Sequence, residues 1–273
     1  MSHPSSVVAQ ESHTQQQGRP TVHSTLVGIG GVRQLDTYLS PQNYRGPQLH
    51  FLHETFRRTH HADGRISVQT LWQGNVSYTD NSAANAHFIG GDISFDAAWH
   101  YSLVDTRREK TTNSNGFQLL LGPQIGANGG FLYSTRNGNN PAQALACVRL
   151  SASASAIYGF HLWRQPFVAR YQLDLPLIGM KFSPNYGQSY YEIFSLGHYD
   201  HNICATHPFN AFSTRHLLTL DVPLRRTTLR VGYLCDLRQS HVNELKYHSY
   251  SHAFVIGVVR HLTIHRPAHR SEK

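Results

Sequence analysis

The sequence predicts an all-β chain folded as a single antiparallel transmembrane β-barrel, with about twelve strands as first choice and about ten as second. Three observations carry this expectation. Apolar and polar residues alternate with a period of two from Ile66 to about Ile264, a rhythm that strands produce because successive side chains point to opposite faces. The alternating segments run well past the roughly 5–6 residues usual for strands of soluble proteins and reach the roughly 9–11 tilted residues a bilayer requires. Finally, only 15% of the 273 residues are Asp, Glu, Lys or Arg, against about 25% in an ordinary soluble domain. No apolar run approaches the roughly 20 residues of a membrane helix.

Residues 1–20 are polar, with a Gln15–Gln17 run, and read as a disordered leader or the remnant of a signal peptide. Ser5–Gln10 resembles the last residues of such a signal, its upstream part preceding Met1. The barrel domain is expected over 21–264 and a basic tail over 265–273. A first strand at 21–35 ends at Leu35–Pro41, where Ser40 and Pro41 signal a turn. Within it, Gly28–Gly31 would let neighbouring strands bend or pack closely. A second strand, at 48–60, alternates poorly, since Leu52, Glu54 and Phe56 share a face.

The pattern then sharpens. Over 64–80, Ile66, Val68, Thr70, Trp72, Val76 and Tyr78 oppose Ser67, Gln69, Gln73 and Asn75. Over 85–104, Ile89, Ile93, Phe95, Ala97, Trp99 and Tyr101 oppose Asp92, Ser94, Asp96 and His100, and Asp80-Asn81-Ser82 joins the two as a hairpin. A charged loop at 105–116 leads to a strand at 116–126, then to Gly126, Gly129 and Gly130 and a short piece at 131–135. The Arg136–Pro141 segment reads as a turn whose Asn and Gly residues supply positive φ angles. A long strand at 145–163 sets Val148, Leu150, Ala152, Ala154 and Tyr158 against Ser151, Ser153 and Ser155, a division that a 3.6-residue period would smear. Further strands are expected at 166–177, 188–197, 213–224, 226–239 and 247–264. Tyr158 with Phe160, Trp99 with Tyr101, and Trp163 lie near segment ends, where interfacial aromatic girdles sit.

The formal charge of +8 does not point to nucleic acid. Its basic residues scatter over Arg57-Arg58, Arg107-Arg108, Arg225-Arg226 and the tail, without a recognised binding motif. Cys147, Cys204 and Cys235 are odd in number and irregularly spaced, so they form neither a disulfide framework nor a CxxC metal motif and read as isolated thiols. No cofactor is expected.

The longer motifs LDTYLSP (Leu35–Pro41), FLYSTRNGNNPAQA (Phe131–Ala144), ARYQLDLPLIGMKFSPNYGQSYYEIFSLGHYDHN (Ala169–Asn202) and TTLRVGYLCD (Thr227–Asp236) resemble an uncharacterised family found mainly in Bacteroidetes and catalogued as a domain of unknown function. The resemblance spans about 21–264. It implies an exported outer-membrane barrel and carries no established activity or catalytic residues.

Two polar groupings invite chemistry. In the polar cluster at 186–202, Ser195, His198 and Asp200 are the residues a Ser/His hydrolase would use, with His activating Ser and the acid orienting His. The segment lacks the His-x-Ser-Asn-Gly arrangement of outer-membrane phospholipases, so no catalytic residue is assigned. His198 and His201 could share a metal only across a turn, because residues three apart on a strand face opposite ways, and no metal site is assigned either. Arg136, Asn137, Asn139 and Asn140 could offer a ligand-binding loop, though the turn is the simpler reading. The stronger pointers are ionic residues expected to line the lumen: Asp92, Asp96, Arg170, Asp174, Glu192, Arg230, Asp236 and Arg238. Both signs are present, as in a narrow lumen filled by cross-strand pairs.

These features lead to an expectation of a monomeric outer-membrane barrel whose partners are membrane lipid or lipopolysaccharide and not nucleic acid. Its role is envelope structure, ligand binding or small-solute passage. The alternatives are a barrel-embedded lipid or lipopolysaccharide acyl hydrolase and a soluble ligand-binding β-sandwich.

Overall fold

The computed structural model describes residues 21–106, 115–163, 165–225 and 227–262; the predicted leader and basic tail lie outside these residues. The strands are β1 (Thr21–Asp36), β2 (Ser40–Arg58), β3 (Ile66–Asn81), β4 (His87–Asp105), β5 (Gly116–Ser134), β6 (Ala142–Leu162), β7 (Gln165–Phe182), β8 (Ile203–Thr206), β9 (Thr214–Pro223), β10 (Thr228–Val242) and β11 (Leu245–Leu262). One short helix, α1 (Tyr190–Phe194), precedes β8, and a 3₁₀ turn, His61–Gly64, precedes β3. The strands pair antiparallel in the order β6-β5-β4-β3-β2-β1-β11-β10-β9-β7, and β7 returns to pair with β6. The sheet thus closes on itself, which removes the free edges an open sheet would expose.

The wall has ten strand positions and not the twelve of the first-choice expectation. Two of the expected strands account for the difference. The 131–135 piece is the end of β5, which runs unbroken through Gly126, Gly129 and Gly130. The 188–197 segment is a helix and loop, because Ser189 and Glu192 form a capping box: Ser189 Oγ accepts the Glu192 N–H at 3.2 Å while Glu192 Oε2 accepts the Ser189 N–H at 2.7 Å. Glu192 is therefore a helix cap and not a lumenal wall residue. The two hydrogen bonds from Ser189 hold its carboxyl below the usual carboxylate range. The short β8 adds no wall position, since it pairs with Gly179–Phe182 of β7 in line with β9, which pairs with Val168–Asp174 of the same strand.

Thr21 and Leu262 lie at one rim, called near, together with the strand ends Arg58, Ile66, Asp105, Gly116, Leu162, Gln165, Pro223 and Thr228. The far rim carries the connections at 37–39, 82–86, 135–141, 183–202 and 243–244. The longest of these docks through Tyr190, whose hydroxyl accepts the Ala144 N–H at 2.6 Å and donates to Gln143 Oε1 at 3.0 Å. Burial there pushes the Tyr190 phenol up to about 12.

Polarity is inverted relative to a soluble domain. Ser24, Gln48, Glu54, Gln69, Gln73, Asp96, His100 and Ser153 are buried inside the barrel, whereas Val27, Ile29, Phe51, Trp72, Ile93, Ile125, Leu150 and Phe254 stand exposed on its outer face. Charged residues bound this apolar band: Arg33, Arg45, Asp80 and Lys246 toward the far rim, Arg57, Arg65 and Arg260 toward the near rim. Trp99 and Tyr101 mark the band's near edge, Tyr78 and Tyr133 its far edge. Inside, Leu26, Leu52, Leu71, Leu217, Leu234, Ala253 and Val255 form one apolar cluster. At the far rim Tyr44 stacks on Phe88 at 3.6 Å between ring centroids, beside Leu39, Ala86 and Leu132.

Candidate functional site in the barrel lumen

Alternation sends every second residue of each strand into a lumen that ten strands make too narrow to stay wide open. Toward the near rim, Glu54 on β2 accepts from Arg170 on β7 and, at 2.8 Å each, from Arg230 on β10 and Gln69 on β3. Arg230 turns its other edge to Asp221 on β9, at 2.6 and 2.8 Å. In the middle, Asp96 on β4 bridges Arg149 (2.6 Å) and Arg215 (2.7 Å), and Arg215 grips Asp174 with Nε and Nη2 at 2.9 and 2.7 Å. Toward the far rim, Arg238 binds Asp236 at 2.7 Å and also Asp92, which in turn accepts from Asn75. Neutral amides join the clusters: Gln69 donates to Gln172 (2.8 Å), Gln172 to Asp174 (3.0 Å), and Gln73 to Asp236 (3.1 Å). The result is one continuous hydrogen-bonded plug, in which most buried charges meet an opposite charge across the lumen.

Seven of the eight ionic residues expected from the sequence enter this network; Glu192 does not. Glu54, Arg149, Lys181, Arg215 and Asp221 also line the lumen and escaped the sequence reading. Glu54 lay in a strand of poor alternation. Arg149 shares the inward parity of Ser151, Ser153 and Ser155, whereas the register of Lys181 is obscured by a bulge in β7, where the β6–β7 pairing shifts between Leu150 and Ser151.

Two glycines make room for the acids. A Cβ on Gly126 would lie 2.0 Å from Asp96 Oδ1, and one on Gly130 would lie 2.4 Å from the Asp92 Cβ. The glycine run that resembled a strand break is thus a wall section thinned to admit two carboxylates. Gly126→Ala is expected to destabilise the barrel by about 1–3 kcal/mol through overpacking, read as a lowered urea midpoint, whereas Gly138→Ala, with open space around its Cα, leaves the midpoint unchanged.

The remaining candidates sit at the far rim. Asn137 Oδ1 accepts the N–H groups of Asn139 (3.2 Å) and Asn140 (3.1 Å), and its amide donates to the Leu39 carbonyl at 3.2 Å. The 135–141 turn is therefore shaped by side-chain hydrogen bonds. None of its Asn or Gly residues adopts positive φ, contrary to the expectation from Asn-Gly composition, because a loop of this length needs no primed two-residue turn. Arg136 lies exposed beside it. Ser195, His198 and Asp200 lie exposed on the 183–202 connection. The carbonyls of His198 and Asp200 accept from Gln188 and Asn185, each at 2.8 Å. Among the described residues no hydrogen bond joins the side chains of Ser195, His198 and Asp200, and no three His, Cys, Asp or Glu residues converge as a metal site.

Between the middle and far clusters the plug leaves a cavity of about 110 Å³. Its lining includes Arg149, Ser151, Lys181, Arg215, Arg238 and Tyr247. Arg149, Arg215 and Arg238 each hold a carboxylate within 2.7 Å. Lys181 holds none: its ammonium donates to Ser240 Oγ at 2.6 Å and lies 4.4 Å from the centre of the Tyr247 ring.

Comparison with known proteins gives likenesses of overall shape. The outer membrane protease OmpT of Escherichia coli aligns over 93% of this chain and 99% of its own, with 8% identity and a TM-score of 0.46. The transport unit of the autotransporter AIDA-I, also from Escherichia coli, aligns over 92% and 93%, with 9% identity and a TM-score of 0.42. The translocator domain of the autotransporter NalP from Neisseria meningitidis aligns over 90% of each chain, with 9% identity and a TM-score of 0.34. No curated protein matches the sequence. Residues 3–268 match the family described as Protein of unknown function (DUF3316), and the chain belongs to that family.

Proposed function

We propose that this protein is an integral, monomeric barrel of the outer membrane whose plugged lumen serves ligand binding and envelope structure and does not provide a standing solute channel. The observation that carries the membrane reading is the inverted polarity of the wall. Side chains such as Ile93, Ile125 and Phe254 are more than half exposed on a continuous outer band, and a soluble monomer rarely shows an apolar patch beyond a few hundred Å². A bilayer removes that surface from water, and the charged rows that bound the band then lie at headgroup level. Closure of the sheet supports the monomer, since every wall position already has two neighbours. The Glu54, Asp96 and Asp236 clusters support a closed lumen, because an ion would have to displace several charge-assisted hydrogen bonds to pass.

The expected result is that purification needs detergent and that the folded protein migrates differently on gels before and after boiling. In planar bilayers it should give no steady conductance. Recovery as a stable monomer without detergent defeats the membrane reading, and a persistent open-pore current defeats the closed lumen.

A further inference from the structure

One wall position is built unlike the other nine. On β7, Val168–Asp174 pair with β9 and Gly179–Phe182 pair with β8, so Leu175, Pro176, Leu177 and Ile178 face no ladder partner on that side. Pro176 has no N–H to leave unpaired there. Opposite, the pairing of β10 with β9 stops at Leu237 and Thr214. Beyond that point β10 is met by isolated bonds, from the Gln239 N–H to Ser213 Oγ at 3.3 Å and from the His241 N–H to the Asn210 carbonyl at 2.7 Å. Residues 207–213, which would have continued the strand, leave the wall, and Phe209 at their tip is 98% exposed. The regular ladder is therefore interrupted between β7 and β10, a window in the hydrogen-bonded wall occupied only by the irregular residues 207–213.

The cavity lies directly behind this window, and Pro176, Ala211 and Ser213 belong to both. Inside, Lys181 is, among the described residues, the lumenal cation with no carboxylate at ion-pair distance, and the buried Ser151 hydroxyl makes no hydrogen bond to protein. The acids of the lining, Asp92, Asp174 and Asp236, are engaged by Arg215 and Arg238. Asp36, at the end of β1, acts on Lys181 electrostatically without reaching ion-pair distance, and its Oδ1 accepts the Tyr38 N–H at 3.0 Å. An ammonium held by one hydroxyl and a ring face, with donor capacity to spare, and a hydroxyl without a protein partner suit an anion. The space is smaller than the roughly 150 Å³ cavity that admits benzene, so it holds a head group and a few carbons but no long chain. Outside, Leu177, Ile178 and Met180 flank the window with exposed apolar side chains.

We propose that the cavity binds the head of a single-chain anionic lipid: its carboxylate pairs with Lys181, and its hydrocarbon chain leaves through the β7–β10 window to lie along Leu177, Ile178 and Met180. This rests on the membrane-embedded reading above. The test measures binding of radiolabelled dodecanoate to the whole protein in non-ionic detergent, against butyrate and methyl dodecanoate. Dodecanoate is expected to bind about tenfold or more tightly than either. Lys181→Met should lose about tenfold or more in dodecanoate affinity, as expected for removal of one member of a buried charge pair, while Lys181→Arg retains binding. Ala211→Trp, which obstructs the window, should weaken dodecanoate and leave heat-modifiable migration intact. Butyrate binding as tightly as dodecanoate would overturn lateral entry, unchanged binding by Lys181→Met would overturn the assigned cation, and absence of saturable binding would overturn the site. Heat-modifiable migration of the same sample separates these failures from failure of the membrane reading.

Discussion

Replacing Glu54 by Leu lowers the stability of the barrel by about 3–5 kcal/mol, the usual cost of removing one partner from a buried ion pair. Glu54 accepts from Arg170, Arg230, Gln69 and Ser24, and the two arginines fare differently without it. Arg230 keeps Asp221, whereas Arg170 is left with the neutral acceptors Ser155 Oγ and Gln172 Oε1 and becomes an uncompensated charge in the lumen. Pairing Glu54→Leu with Arg170→Met should restore much of the loss, because a well-packed apolar pair can equal a buried salt bridge. Urea unfolding in detergent, followed by tryptophan fluorescence, gives the four stabilities of the cycle. A single-variant cost below about 1 kcal/mol would show that water, and not the plug, solvates these charges.

The second large effect lies on the opposite face of the wall. Ile125 sits near the middle of β5, points outward, and pairs with Ala97 on β4 and Leu150 on β6. Ile125→Arg should cost about 2–4 kcal/mol in a lipid bilayer, the penalty for a cation at midplane on a barrel's lipid face. A soluble protein would respond differently, for an exposed Ile replaced by Arg typically changes stability by less than about 0.5 kcal/mol. Refolding yield and urea midpoint in phosphatidylcholine vesicles distinguish the two, and a neutral outcome argues that the band does not meet hydrocarbon.

How far the site could be foreseen follows from local geometry. Asp92, Asp96, Asp174, Arg230, Asp236 and Arg238 fall on polar faces of well-alternating strands, so period two alone places them inward. Lys181 was invisible to that rule because the β6–β7 register shifts at Leu150/Ser151, and a bulge reverses parity beyond it. Glu192 misled for a different reason: its polar and aromatic neighbours alternate over a few residues, yet the Ser189–Glu192 capping box satisfies a helix start more cheaply than an unpaired strand would. That signal was present in the sequence and outweighed by periodicity. The glycines at 126 and 130 looked like punctuation, and their purpose appears only once Asp96 and Asp92 are placed against them from the neighbouring strand.

Alternation by itself determined the class of the molecule, the inward and outward faces of most strands, and the low-charge apolar band, because side-chain direction in a strand is a local property of the backbone. Strand number, closure between β6 and β7, the partnering of each lumenal charge and the window beside β7 were decided only by the tertiary structure. They depend on register between segments far apart in sequence, and a shift of one residue exchanges the two faces of a strand while leaving its own sequence pattern unchanged.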